Sequence, residues 1–337
     1  MTRPASLTLI AFALAAGQLH AADSARCDRA CLEGLAESYL AAMLAHDPTK
    51  APIAPGTRYT ENGVELPLPD GLWRTLGSLE SYRLFVSDPQ AGSIGFFVKA
   101  QENGAPLLVS TRLKISGRRI VEIESLAARL TGTIGGGPSS QPRVDQLGNA
   151  PRPQFTATLP REQRHTRAQL AAIANGYFTG IENNTGDKPP AFAADCLRLE
   201  NGSQTTGRPL APGATPNSAN FSCIEAFALG YYREDTRLRN RRVLAVDEER
   251  GLIYMGVAFD HDATVRSYQL KDGRTNTVRN TAPWTWMIHE IFEVNGEGKI
   301  SQVEAVLLSV PYGMRPGWST GEHITDPQAA HDHFKEY

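Results

Sequence analysis

The motif RYTENG occupies positions 58–63, and the closely similar motif LRLENG occupies positions 197–202. Each follows a segment with the apolar spacing of an amphipathic helix, and each precedes a run of strand-like segments. Asn-Gly is a preferred turn dipeptide, so we interpret Asn62 and Asn201 as turn formers where helix gives way to sheet. The recurrence predicts that one structural design is used twice along the chain.

The first copy begins with a helix in CLEGLAESYLAAMLAHDP, where apolar residues recur at helical spacing and Asp47-Pro48 ends the helix. After RYTENG, a helical turn is predicted in DGLWRTLGSLESY. Three strands follow in SIGFFVKAQ, PLLVSTRLKI and RIVEIESLAA, and the last two form a hairpin.

The second copy repeats this order from Ala168, with a helix in AQLAAIANGYFTGIENNTGD and an insertion after LRLENG. Its last two strands lie in TWMIHEIFEV and KISQVEAVLLSV. RIVEIES and KISQVEA share a pattern that places Glu124 opposite Glu304. Both glutamates are on the polar side of their strands, so we predict that they face a sheet surface or an inter-domain contact rather than a pocket.

These patterns set the predicted boundaries. The first domain spans 26–131, a Gly/Pro/Ser-rich linker spans 132–163, the second domain spans 164–314, and a peripheral tail spans 315–337. We predict an α+β fold of two tandem cone-shaped domains, each with N-terminal helices packed on a curved antiparallel sheet.

Short motifs along the chain carry a family resemblance: CDRACL, HDP, RYTENG, DGLW, VDEERG, FDHD, HEIF, VEAV and PYGM…GW. Together they resemble the SnoaL-like superfamily, also called nuclear transport factor 2-like or ketosteroid-isomerase-like, and in particular secreted bacterial proteins with this domain in tandem. The resemblance covers about Cys27 to Trp318. It implies a deep apolar pocket between the helices and the concave face of the sheet. It implies no particular reaction, because superfamily members include isomerases, dehydratases, lyases, cyclases, epoxide hydrolases and non-catalytic proteins.

The first 22 residues have the pattern of a secretory signal peptide. Arg3 is followed by an apolar run and by small residues at Ala21 and Ala22. No later segment is long and apolar enough to span a bilayer. We therefore expect an exported protein, periplasmic or secreted.

The four cysteines fit that compartment. Three pairings are possible; we favour Cys196–Cys223, which would staple the insertion, and Cys27–Cys31 as a local bridge. A metal site ranks below disulfides because no CxxC ligand pair with structural-zinc spacing is present.

Composition argues against nucleic acid as the partner, since the formal net charge is −2 and phosphate binding needs a clustered basic field. The short basic run RLRNRR at 237–242 is interpreted as a solvated turn or strand edge. No GxSxG, GxGxxG, Walker or HExxH motif occurs, so we predict no cofactor and no metal.

The strongest candidate site is TWMIHEIFEV. Alternation places Glu290 in the apolar row of Trp286 and Ile288, and His289 on the opposite face. A lone carboxylate in such a row must be paired, protonated or functional. The alternatives are that Glu290 pairs with Arg241 or Arg242 and that His289 packs between domains.

The first copy has Ser110 at the place of His289 and Thr111 at that of Glu290, so the second domain is the more plausible catalytic one. The second candidate is FDHD, where Asp260 could orient His261 as a general base. Either this pair or Tyr254 would assist a leaving hydroxyl group. Turn formation is the simpler interpretation of Asp260 and His261.

Candidate substrate-binding residues are aromatic side chains that could wall a flat apolar ligand, together with one histidine at the mouth of the first domain. They are Trp284, Trp286, Tyr312, Trp73 and His46.

The leading functional hypothesis is a cofactor-independent lyase or isomerase, most simply a dehydratase, acting on a hydrophobic or aromatic hydroxylated small molecule. Glu290 or His289 would remove a carbon-bound proton. One alternative is a non-catalytic module that binds a small ligand or a protein partner. Another is an epoxide or ester hydrolase using the same residues. The sequence also leaves open whether the chain forms a homodimer.

Overall fold

The computed structural model describes residues 27–129, 143–187 and 189–318, together with the backbone of 322–323. The predicted signal peptide lies outside the described residues. Within them the chain forms a six-stranded sheet from the first copy, a seven-stranded sheet from the second and a separate two-stranded ribbon. The predicted α+β class with two tandem domains is confirmed.

The first domain begins with helix α1. Its elements, in chain order, are α1 (Arg29–Leu44), β1 (Ile53–Glu61), β2 (Val64–Glu65), the short helix α2 (Leu72–Thr75), β3 (Leu76–Asp88), β4 (Ser93–Glu102), β5 (Ala105–Ser116) and β6 (Arg119–Ala128). The strand order is β2-β1-β6-β5-β4-β3.

Helix α4 opens the second domain, after the short helix α3 (Pro153–Thr156). The elements that follow are α4 (Arg167–Asn183), β7 (Phe192–Glu200), β8 (Ser203–Gln204), α5 (Cys223–Ala228), β9 (Arg237–Asp247), β10 (Leu252–His261), β11 (Ser267–Gln269), β12 (Thr275–Thr277), β13 (Trp284–Val294), β14 (Ile300–Val310) and β15 (Glu322–His323). The main sheet has the order β15-β9-β10-β13-β14-β7-β8, and β11 pairs with β12.

Each sheet has an inner face, covered by its own long helix, and an outer face, packed against the other sheet. Helix α1 and the inner face of the first sheet share one apolar core, and helix α4 and the second sheet share another. A third core, which includes Leu84, Phe97, Leu252 and Ile291, joins the outer faces. The layer order is therefore helix, sheet, sheet, helix.

The register confirms the repeat. Glu61 pairs with Ser125 in the parallel β1–β6 ladder, and Glu200 pairs with Ala305 in the parallel β7–β14 ladder. Asn201 has φ 47°, and its side chain bonds both backbone groups of Leu307, at 3.0 and 2.8 Å. The left-handed turn and these bonds confirm the structural interpretation of the asparagine.

Both favoured disulfides are present: Cys27–Cys31 within the N-terminal turn of α1 and Cys196–Cys223 across the insertion. The second ties the first residue of α5 to strand β7. It therefore fixes the segment that follows the insertion against the second sheet. No helix in the described part of the chain is long and apolar enough to cross a membrane.

Three interpretations made from the sequence need correction. The stretch after DGLW continues as β3, a strand of 13 residues, rather than a helical turn only. RLRNRR is not solvated, because it lies in β9 and its Arg239, Arg241 and Arg242 are buried. In the described part of the predicted linker, Val144 and Phe155 are buried in the core between the sheets.

The predicted peripheral tail also begins inside the structure. Trp318 is buried, and its indole nitrogen donates to the Thr60 hydroxyl at 2.7 Å. The guanidinium groups of Arg58 and Arg112 lie 4.3 and 4.9 Å from its ring centroid. This segment therefore belongs to the packed body of the first domain, and β15 pairs with β9 of the second.

A buried charge network joins the outer faces. Glu124 of β6 accepts hydrogen bonds from Arg242 of β9 and from Arg112 of β5, the latter at 3.1 Å. Burial opposes ionisation of Glu124, but Arg242 and the neighbouring cationic groups hold its pKa well below the usual range. A second contact links Tyr82 to Glu304 at 2.6 Å. The predicted outward orientation of both glutamates is confirmed.

Breaking the Glu124–Arg242 pair is expected to destabilise the fold. Arg242→Met should lower the free energy of unfolding by about 3 kcal/mol, because removing one partner leaves a buried carboxylate with fewer cations. Denaturant unfolding measures this. The control Arg74→Met removes an exposed partner of Asp70 and should cost no more than about 1 kcal/mol. Equal losses in the two variants would contradict the role given to Arg242.

Candidate active site in the second domain

A cavity of about 380 Å³ lies on the inner face of the second sheet, under α4. Its floor comes from β7, β10, β13 and β14. Its roof is formed by two segments, 205–235 and 276–280, and we use "roof" for these segments below. The residues that line the cavity include Tyr177, Arg198, Glu200, Tyr232, Asp235, Phe259, His261, Trp284, Trp286, Ile288, Glu290, Ala305 and Leu307.

The corresponding place in the first domain is occupied by its own side chains. Glu61 accepts from the Tyr59 hydroxyl and the Leu72 amide, both at 2.7 Å, and pairs with Arg129 at 2.8 Å. Thr111, at the position of Glu290, bonds to Ser125 at 2.9 Å. Glu61, the counterpart of Glu200 in the repeat, therefore has a structural role in the first domain.

In the second domain, two carboxyl groups flank a small residue. Glu290 of β13 and Glu200 of β7 are both register partners of Ala305 of β14. Neighbouring strands are about 4.8 Å apart, so the two Cα atoms are about 10 Å apart on the same face. The alanine methyl group leaves space between them, which is the arrangement that a small molecule between an acid and a base requires.

Arg198 completes this inner end of the cavity. Its guanidinium donates to Glu200 at 3.0 Å and to the Tyr232 hydroxyl at 2.8 Å, and it lies 5.5 Å from the Tyr177 ring centroid. The Arg198 Nε atom and Glu290 Oε2 are buried without a hydrogen-bond partner among the described residues. Glu200 is thus ion-paired, whereas Glu290 keeps unused hydrogen-bonding capacity.

Burial gives Glu290 an unusual protonation state. It raises the pKa of Glu290 to about 8; the Arg198 charge opposes this rise and the Glu200 charge adds to it. At neutral pH the carboxyl group is therefore mostly the neutral acid. The expected partners Arg241 and Arg242 are elsewhere: Arg241 pairs with Glu182 at 2.6 Å, and Arg242 pairs with Glu124.

The outer end of the cavity is built around His261. Its ring stacks on Trp284 with centroids 4.0 Å apart and contacts Trp286 edge-on at 4.7 Å. The His261 Nε2 atom lies 2.5 Å from Asp235 Oδ1, which is within ion-pair distance. Asp235, from the roof, is the carboxylate beside this histidine.

Asp260 is not that carboxylate, so the predicted Asp260–His261 pairing is wrong. Successive residues of β10 point to opposite faces, and Asp260 bonds Arg239 at 2.7 Å and Thr285 at 2.6 Å on the outer face. Burial opposes its ionisation, but Arg239 and Thr285 together with Arg237 lower the pKa of Asp260. It is an inter-strand ion pair.

His289 and Tyr254 also lie on the outer face, away from the cavity. His289 Nδ1 contacts the Tyr254 hydroxyl at 2.7 Å and the Ser110 hydroxyl at 3.0 Å, and its Nε2 is 3.5 Å from Glu124. Burial lowers the pKa of His289. The alternative that His289 packs between domains is therefore the correct one, and a role for either residue beside Glu290 has no geometric basis.

The aromatic candidates divide in the same way. Trp284 and Trp286 line the cavity. Trp73 is in the core of the first domain, edge-on to Tyr39 at 5.3 Å, and His46 contacts the Trp73 carbonyl at 2.6 Å. Tyr312 is half-buried and is not among the residues around the cavity.

Sequence reasoning missed Arg198, Glu200 and Asp235. A signal for the first two was present: alternation in β7 places them on the same face as Cys196, which the favoured disulfide put inside. LRLENG was interpreted only as a turn motif, so the inward-facing positions of its strand were not recognised. Asp235 follows no periodic segment, so its place beside His261 is a tertiary effect.

The described residues contain no group of three or more His, Cys, Asp or Glu side chains placed to hold a metal ion.

These features define a two-domain α+β protein with a helix-covered cavity in its second domain. The chain belongs to the family described as Domain of unknown function (DUF8021), whose model matches residues 25–127 and 163–307. The two matched segments correspond to the two structural repeats. No curated protein matches the chain.

Two solved structures are similar at low levels. One is SalBIII, described as an epoxide hydrolase/cyclase-like enzyme in pyran ring formation in the polyether salinomycin; it is 12% identical with a TM-score of 0.28, over 42% of this chain and 91% of that chain. The other is AclR, a proposed hydroxylase from Streptomyces galilaeus, which is 12% identical with a TM-score of 0.25, over 45% of this chain and 83% of that chain.

The protonation of Glu290 is directly measurable. Its carboxyl ¹³C resonance should titrate with a pKa of about 8, and Glu290→Gln should remove that titration. Glu293→Gln is the matched control, because burial raises the pKa of Glu293, on the same strand but the outer face, to about 7. A Glu290 resonance that titrates near its ordinary value of 4.5 would contradict the burial argument.

The same shift predicts a pH-dependent stability. Because the folded pKa of Glu290 is higher than the unfolded one, its contribution is complete below pH 4.5 and is lost as the pH rises to about 8. Glu290→Gln carries no such loss, so its stability relative to the native chain should increase over this range, by on the order of 2–4 kcal/mol. Denaturant unfolding at several pH values provides the measurement.

Proposed function

We propose that the protein is a cofactor-independent acid–base enzyme, most simply a dehydratase, that acts on a hydrophobic or aromatic hydroxylated small molecule in the second-domain cavity. The observation that carries this proposal is the pair of Glu290 and Glu200 across Ala305, one mostly neutral and the other ion-paired to Arg198. A carboxyl group with a raised pKa beside a carboxyl group held by an arginine is an arrangement suited to combined acid and base catalysis.

The raised pKa of Glu290 and the Arg198 partner of Glu200 assign the roles. Glu200 removes a carbon-bound proton, and the electron pair of that C–H bond forms the new double bond. The neighbouring C–O bond breaks, and Glu290 donates its proton to the departing hydroxyl, which leaves as water. Exchange with solvent then returns the proton from Glu200 to Glu290. Glu290 therefore acts as the acid, rather than as the base expected from the sequence.

The surroundings support this division. Arg198 holds Glu200 in place through a 3.0 Å hydrogen bond, and Thr205 adds another at 3.2 Å. Glu290 is buried and interacts with Tyr177 and Arg198, and a buried site strengthens each electrostatic interaction in it. The tyrosines and the arginine are positioning residues in this proposal.

A non-catalytic binding module remains the alternative function. Its supporting observation is that the cavity walls include Trp284, Trp286 and Phe259, which suit an apolar ligand without chemistry. Hydrolysis of an epoxide would use Glu290 as the acid in the same way. These alternatives predict different products from the same experiment.

We also propose that the protein is exported. Both disulfides fit an oxidising compartment, and the N-terminal 22 residues have the signal-peptide pattern. For the domains we propose the boundaries 26–131 and 164–314. The described parts of the segment between them and of the tail contribute Val144, Phe155 and Trp318 to the packing.

Loss of the acid should abolish turnover. The native protein and Glu290→Gln are incubated with hydroxylated aromatic and terpenoid compounds, and mass spectrometry detects loss of water. We expect Glu290→Gln to lower the rate about 10²–10⁴-fold, and the native rate to fall as the pH rises above about 8. Glu293→Gln should retain the native rate.

The outcomes separate the hypotheses. Full turnover in Glu290→Gln rejects the acid–base proposal. Gain of water on an epoxide indicates the hydrolase instead. A bound compound that co-purifies from the native extract and is never converted indicates the binding module.

A further inference from the structure

The outer end of the cavity contains a cluster that the proposed reaction does not use. We propose that His261, Asp235 and Trp284 form a second polar subsite, and that the substrate is an elongated molecule with hydrogen-bonding groups at both ends and an apolar middle. This inference rests on the proposed function, since it names the substrate class of the same cavity.

The two ends are too far apart for one functional group. Trp284 and Glu290 lie on the same strand and the same face, and His261 is the register partner of Trp284. Six residues of strand correspond to about 20 Å of backbone. His261 therefore cannot share a reacting carbon with Glu290, and a ligand that engages both must extend along β13.

Unused hydrogen-bonding capacity is concentrated in this cluster. Nδ1 of His261 and Nε1 of Trp284 are buried without a hydrogen-bond partner among the described residues, and Nε2 of His261 lies 2.5 Å from Oδ1 of Asp235. An unpaired buried polar group destabilises a fold, so two of them on one cavity wall are compensated when a ligand supplies the partners. A hydroxyl group, which can both donate and accept a hydrogen bond, fits them.

The floor of the cavity is apolar between its two ends. Phe259, Ile288 and Leu307 line it between the two ends, and Trp286 contacts His261 edge-on. A ligand with polar groups along its centre would lose their hydration there without replacement. The recognition pattern is therefore polar, apolar, polar.

The roof is built to hold the second subsite in place. Asp235 follows α5, whose first residue, Cys223, is bonded to Cys196 of β7. The backbone amide of Asp235 also bonds the Tyr232 carbonyl at 3.1 Å. Because Arg198 of β7 donates to the Tyr232 hydroxyl at 2.8 Å, this part of the roof is held against the strand that carries Glu200.

The test uses rigid probes of increasing length: 4,4′-dihydroxybiphenyl, 4,4′-dihydroxystilbene and 4,4″-dihydroxyterphenyl. Each is compared with its monohydroxy counterpart by isothermal titration calorimetry on the full chain. At the length that spans the cavity, the dihydroxy probe should bind about tenfold more tightly, the ratio expected from one additional hydrogen bond to a buried group.

His261→Phe is the matched variant, because it keeps a flat ring against Trp284 and removes both nitrogens. It should abolish the preference and leave the affinity of the monohydroxy probe unchanged. Asp235→Leu removes the neighbouring acceptor and should reduce the same ratio independently, so the test survives if one variant fails to fold.

The results decide the inference separately from the proposed reaction. No preference at any length in the native chain overturns it, as does a preference that persists in both variants, or no binding of any probe. The reaction is judged by the turnover of Glu290→Gln and by the Glu290 titration, neither of which depends on His261.

Discussion

Both faces of each sheet are covered, and this constraint determines where polar side chains can be placed. A solvent-exposed outer face would tolerate unpaired charges, but here the outer faces meet in an apolar core that includes Phe97 and Ile291. Charges on these faces must therefore be paired. Glu124 is bound by Arg242 and Arg112, and Asp260 is bound by Arg237 and Arg239.

The repeat then produces two different interiors from one pattern. The ENG glutamate points to the inner face in both domains. In the first, Glu61 meets Tyr59, Arg129 and a backbone amide. In the second, Arg198 stands at the position of Tyr59 and Glu290 at the position of Thr111. Arg198 and Glu290 are thus the two ionisable groups that the second domain adds. Together with the roof, they replace the packed core of the first domain with a cavity that has polar groups at its ends.

Nearby cations explain why two equally buried carboxyl groups behave differently. Only the charge of Arg198 and a hydrogen bond with Tyr177 stabilise the ionised form of Glu290, so burial raises its pKa to about 8. Glu124 is equally buried, yet adjacent cations hold its pKa well below the ordinary value. The number of cations in contact, rather than depth, decides which buried acid is neutral and available to donate a proton.

The sequence by itself determined the repeat, the α+β class and the two faces of β13, because these follow from local periodicity and turn chemistry. Among three possible cysteine pairings it favoured the one that the structure contains, and it named Glu290 and His261 as candidate site residues. It erred where partners come from distant segments: Asp260 was paired with His261, and His289 was kept as an alternative base to Glu290.

Only the tertiary structure decided those partners. The packing of two sheets fixed which arginine meets which carboxylate, and the roof brought Asp235 to His261 from a segment without periodicity. Strand alternation states that a side chain faces inward or outward. It contains no information about which residues cover that face. Those covering residues decide whether a polar group has a structural role or belongs to the site.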